Sequence, residues 1–97
     1  MSKVMFSISY EIKSEKRDEY LALSRRMKAH LATTNGKNYS IYEQKGKKNN
    51  FTEVFICQSM DEYEALEDQD ETTTSLVQEL DGMLADGKMK YITLIEL

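Results

Sequence analysis

Residues 3 to 12 alternate strictly in character. Val4, Phe6, Ile8, Tyr10 and Ile12 fall on one parity, and Met5, Ser7, Ser9 and Glu11 on the other. Five apolar residues of one parity predict a strand with one dry face. Such a strand is not stable alone; it needs neighbours in a sheet and a layer packed on its dry side. The remaining residues have to supply both.

The chain continues with a helical signal. Ser14 offers an N-cap, Glu15, Asp18 and Glu19 put negative charge at a helix start, and Tyr20, Leu23, Met27 and Leu31 recur at helical spacing. Glu19, Arg25, Arg26 and Lys28 lie on the outer side, and Asn35-Gly36 suits a left-handed C-terminal cap. Asn38 to Lys45 and Phe51 to Gln58 are β-prone runs joined by a Gly- and Asn-containing turn, which predicts a hairpin. Ser59-Met60-Asp61-Glu62 matches a capping box. The helix it opens carries Tyr63, Ala65 and Leu66, and the pattern resumes with Leu76, Val77, Leu80, Met83 and Leu84. Thr72 to Thr74 are poor helix interior, so this helical region is expected to break in two there and to stop at Gly87. Met89 to Leu97 forms the last strand, with Met89, Tyr91, Ile95 and Leu97 on one side and Ile92 and Leu94 on the other.

The order is β-α-β-β-α-β: an α+β, ferredoxin-like arrangement in which a four-stranded antiparallel sheet carries both helical regions on one face, with the first and third strands central. Residues 1–97 make one domain. The second sheet face then holds Met5, Ser7, one parity of residues 51–57, Ile92 and Leu94. Apolar area of that kind in water calls for a partner, and a second copy packed about a two-fold axis is the simplest.

Composition removes several functions. One His, one Cys and no Trp exclude a zinc site of paired Cys and His, an all-Cys zinc site or any two-His metal site within the chain. Seven acids crowd between Asp61 and Glu71, but without the Gly and terminal Glu spacing of a calcium loop they read as a solvated helix rim, so no metal is expected. The densest basic group, Lys45, Lys47 and Lys48, sits at a hairpin tip and is too short for a nucleic-acid footprint. The N-terminus lacks a signal-peptide core, no window spans a bilayer, and Cys57 has no intrachain disulfide partner, which together point to the cytoplasm and to no membrane.

Candidate functional residues are few. His30 is the near-neutral titrating group and the weak candidate for a general base, but with no evident orienting carboxylate its place at a helix C-terminus, where it meets the dipole favourably, is the preferred reading. Cys57 reads as a small hydrophobe at a strand end. A ligand pocket between the dry face of the first strand and the helices would be lined by Phe6, Tyr10, His30 and Tyr63.

The stretch Phe51-Thr52-Glu53-Val54-Phe55-Ile56-Cys57-Gln58-Ser59-Met60-Asp61-Glu62-Tyr63-Glu64-Ala65-Leu66-Glu67, together with the element order, resembles the antibiotic-biosynthesis-monooxygenase-like proteins of the dimeric α/β-barrel superfamily. The resemblance implies a homodimeric barrel that pairs sheets face to face, with any small ligand between helices and sheet. It implies either cofactor-free oxygenation of an aromatic or quinol-like substrate, haem degradation, or no catalysis. Where the family usually has His, this chain has Gln69, Asp70 and Thr72 to Thr74, and it has no Trp, which speaks against haem degradation. The expected function is therefore a non-catalytic or small apolar ligand-binding homodimer without cofactor, with a cofactor-independent monooxygenase as the alternative.

Overall fold

The computed structural model describes residues 2–34, 38–67 and 70–97, apart from the side chains of 32–34 and 67. The strands are β1 (Val4–Glu11), β2 (Asn38–Glu43), β3 (Asn50–Cys57) and β4 (Lys90–Ile95). The helices are α1 (Arg17–Thr34), α2 (Met60–Glu64) and α3 (Glu71–Asp81), with short 3-10 turns at Ser14–Lys16 and Ala65–Glu67. The sheet order is β2-β3-β1-β4, all neighbours antiparallel, so the first and third strands are central as expected. This is the ferredoxin-like α+β fold; within one chain the sheet is open, with β2 and β4 at its edges.

Burial explains why α1 forms where it does. Tyr20, Leu23, Met27 and Leu31 are all buried and pack with Tyr10, Ile12, Phe51, Leu76 and Leu80 in one core. The start of the helix differs from expectation. Ser14 lies inside a 3-10 turn whose N-cap position is Lys13, a side chain with no acceptor to cap it, and Lys13 N–H donates to the Met83 carbonyl at 2.9 Å where the chain leaves β1. The expected cap at Asn35 and Gly36 lies outside the described residues.

The second helical region is broken, but not at the threonines. Ser59 caps α2 by accepting from Glu62 N–H, and the Glu62 carboxylate reaches back to Gln58 N–H at 2.6 Å. The break precedes Asp70, whose side chain accepts from Thr73 N–H at 2.7 Å and caps α3, so Thr72 to Thr74 form its first turn. A first turn needs few intrahelical amide bonds, so β-branched residues are tolerated there. The far end is also corrected: α3 stops at Asp81, not at Gly87. Met83 and Leu84 are buried against the end of β1, where Leu84 bridges Ile12 and Ala85 N–H donates to the Glu11 carbonyl, and that contact outweighs two more helical turns. Gly87, at φ 71°, makes the turn into β4.

Arg17 clasps the α1 start to the hairpin. Its guanidinium donates to both Glu43 oxygens at 2.6 and 2.9 Å and to Asn49 Oδ1 at 2.9 Å, and lies over the Phe51 ring. Asn49, left-handed at φ 69°, returns its N–H to Glu43. Arg17 foremost, then Asn49 N–H, pull the Glu43 carboxyl down to about 2. A carboxyl with a lowered native pKa stabilises fully above the unfolded value and loses that contribution as pH falls toward the native one. Urea midpoints of the native protein should therefore drop between pH 4.5 and 2, and Glu43→Gln should flatten that part of the curve.

Candidate functional site

Register places four rows of side chains on the helix-facing side of the sheet. They are Glu43-Phe51-Tyr10, Ile41-Glu53-Ile8-Tyr91, Tyr39-Phe55-Phe6-Thr93 and Cys57-Val4-Ile95. On β1 Val4 and Tyr10 are buried, as is Ile12 just beyond it, but Phe6 and Ile8 are only half-buried although they occupy the centre of the sheet. The cause is helix placement: α1 packs along β2, α2 lies on β1 and β3, and the inward side of β4 is left open, with Tyr91 60% and Ile95 53% exposed. An opening between helices and sheet results. Phe6 forms its floor, with Tyr91 stacked on it at 6.1 Å and 11° and Tyr63 edge-on at 5.7 Å. The Tyr63 hydroxyl bonds Thr93 Oγ1 at 3.0 Å, which ties α2 to β4, and Met89 and Leu66 are partly buried against the same core.

In the same row as Ile8, one strand over, is a buried carboxyl. Glu53 is 5% exposed and stands directly opposite Ile8. The Tyr39 hydroxyl donates to Oε1 at 2.7 Å and the Tyr10 hydroxyl to Oε2 at 2.8 Å, while Tyr10 and Tyr20 share a hydrogen bond of 2.8 Å. Among the described residues no basic side chain makes an ion pair with it. Loss of hydration raises its proton affinity, and the two tyrosine bonds only partly offset that. Burial, first of all, and then the neighbouring carboxyl push Tyr10 and Tyr39 well above the ordinary phenol value; burial raises Tyr20 as well. A buried acid whose proton affinity is raised by loss of hydration is a candidate to hold or pass a proton.

The four residues expected at a pocket separate into three places. Phe6 and Tyr63 meet at the opening. Tyr10 points into the Glu53 network instead. His30, on α1, turns to Asp70, with Nε2 3.0 and 3.1 Å from the two carboxylate oxygens. His30 thus does have a carboxylate partner, brought 40 residues along the chain by the packing of α1 on α3. Thr73 N–H first, and His30 after it, hold the Asp70 carboxyl below its usual range. Cys57 is buried opposite Val4, and among the described residues no group of three His, Cys, Asp or Glu is placed to hold a metal ion. A second, shallow cleft of about 300 Å³ lies at the other end of the β1–β4 seam, between Val4, Ser59, Asp61 and Ile95.

Sequence reasoning passed over Glu53. The signal was present, because Glu53 shares the parity of Phe51 and Phe55 and so had to face the core, yet its three tyrosine neighbours come from β1, α1 and β2.

No family model and no curated protein matches the chain. Solved structures do. A conserved protein from Methanosarcina mazei Go1 superposes with a TM-score of 0.84 at 13% identity, covering 97% of this chain and 92% of the other. A crystal structure of an antibiotic biosynthesis monooxygenase gives 0.75 at 17% identity, covering 97% and 96%. A variant of SnoaB, a cofactor-independent oxygenase from Streptomyces nogalater, gives 0.75 at 13% identity over 95% and 90%. At these identities the likeness establishes architecture rather than chemistry. The chain has the ferredoxin-like fold of the antibiotic-biosynthesis-monooxygenase-like structures.

Proposed function

We propose that this protein is a face-to-face homodimer in which each protomer binds one small apolar or aromatic molecule in the opening over Phe6 and Ile8. The observation that carries the ligand reading is the incomplete cover of those two residues at the centre of a four-stranded sheet, rimmed by Tyr63 and Tyr91. A flat aromatic guest would complete the stack that Tyr91 begins on Phe6. The dimer reading rests on the opposite face, where Met5, Ile56 and Leu94 form one row and Val54, Ser7 and Ile92 the next. Met5, Ile92 and Leu94 are exposed, and among the described residues no helix lies on that side to cover them.

Calorimetric titration with naphthalene tests the ligand site. Saturable binding is expected, weakened about tenfold by Tyr91→Ala, which removes half of the stack from an exposed edge position. Absence of saturable binding, or equal affinity in the variant, would count against it.

The fold shared with a cofactor-independent oxygenase, together with Glu53, favours a second reading, oxygenation of a quinol-like substrate. Such a reaction asks the protein for a dry pocket, a base and hydrogen bonds, because the deprotonated substrate itself reduces oxygen. Oxygen uptake with a panel of quinols decides it. Turnover that falls in Glu53→Gln and persists in His30→Ala would assign the base to Glu53, and turnover in neither the native protein nor a variant would leave the binding function.

A further inference from the structure

The acid beside the opening has a role that the binding function alone does not require. Ile8, over which the ligand would lie, is the cross-strand neighbour of Glu53, at a spacing of about 5 Å between β-carbons. The carboxyl has acceptor capacity to spare, since Tyr10 and Tyr39 each occupy one position on one oxygen out of about four available in all. Its surroundings are Tyr10, Tyr20, Tyr39, Ile8, Ile41 and Phe55, all neutral side chains. A hydroxyl on the guest can therefore join the network by donating to the carboxyl. A guest carrying a carboxylate at the same position meets a buried acid with no compensating cation, and two carboxyl groups sharing a low-dielectric site cannot both ionise.

We infer that Glu53, held by Tyr10 and Tyr39, is the specificity-determining group of the opening: it selects neutral hydroxylated aromatic molecules and rejects aromatic anions of the same shape. This rests on the ligand site proposed above and adds a polar end to it. The buried acid thus has a reason to sit one strand from the opening rather than elsewhere in the core.

Three probes of matched size, naphthalene, 2-naphthol and 2-naphthoate, separate the two levels on the unmodified protein at neutral pH. The expected order is 2-naphthol tighter than naphthalene by at least about tenfold, with 2-naphthoate the weakest. Equal affinities of naphthol and naphthalene, or naphthoate binding as tightly as naphthol, would overturn the role of Glu53 while leaving the apolar site standing. If naphthalene does not bind, the site and this inference fall together. Glu53→Gln should bring naphthol down to the affinity of naphthalene, with folding checked by circular dichroism. An infrared difference spectrum supplies the readout that a merely structural carboxyl would not give: the Glu53 carboxyl band, identified by its loss in Glu53→Gln, should shift on adding naphthol and not on adding naphthalene. An unshifted band would refute the contact.

Discussion

Glu53→Ala is expected to lower the free energy of unfolding by about 4 kcal/mol, a large part of the total for a domain of this size. The change leaves the hydroxyls of Tyr10 and Tyr39 buried without their acceptor, at about 1–3 kcal/mol each, and adds a cavity between β1, β2 and β3. Tyr39→Phe, which removes one donor and keeps the volume, should cost only about 1 kcal/mol. The pH dependence has a definite sign. Because burial raises the native proton affinity of Glu53, its contribution is full below the unfolded Glu pKa and is lost as pH rises through the native one. The deficit of Glu53→Ala should therefore be greatest in mild acid and narrow toward alkaline pH, as measured by urea melts across that range. A deficit independent of pH would mean that the acid keeps the same charge in both states.

Ile92→Asp is expected to convert the proposed dimer to monomer. Ile92 is opposite Ser7 on the uncovered face, next to the row of Ile56, Met5 and Leu94, so an aspartate there is exposed in a single chain and buried without a partner charge in a sheet-to-sheet dimer. A penalty of about 3 kcal/mol per copy, counted twice by symmetry, raises the dissociation constant by roughly four orders of magnitude. Light scattering at micromolar concentration should show twice the 11.3 kDa chain mass for the native protein and the single chain mass for the variant. Circular dichroism should be unchanged, because the substitution faces away from the core. A native protein already at the single chain mass would refute the dimer.

Much of the architecture was legible because it depends on local periodicity. The parity of Val4 to Ile12, the stripe from Tyr20 to Leu31 and the Ser59 cap each specify an element from a few adjacent residues. The errors arose where a distant segment competed. Met83 and Leu84 continue a helical pattern in sequence, but the end of β1 captures them. Thr72 to Thr74 look like a breaker until Asp70 is known to start the helix just ahead of them. Of the four residues expected to line a pocket, Phe6 and Tyr63 are in ring contact, as strand parity and helix order place them on the same side of the sheet. Glu53, Tyr10, Tyr20 and Tyr39 lie on β3, β1, α1 and β2, and only the register of three strands reveals that they form a single network. The His30 to Asp70 contact depends in the same way on how α1 crosses α3.

The polar bonds also divide the molecule by strength. In the first half of the chain, β1, α1, β2 and β3 are knotted through buried oxygens at Tyr10, Tyr20, Tyr39 and Glu53 and clasped by Arg17. The side-chain links from the second half to the first, Arg26 to Glu79 and His30 to Asp70, lie in water, as does the Tyr63 to Thr93 bond within the second half. Exposed links of that kind are worth little, so local opening is cheapest there. The mouth over Phe6 is bordered by that weaker half while its polar end belongs to the stronger one. In the ligand site proposed above, loosening α2 against β4 would admit a guest while leaving Glu53 and its tyrosines in place.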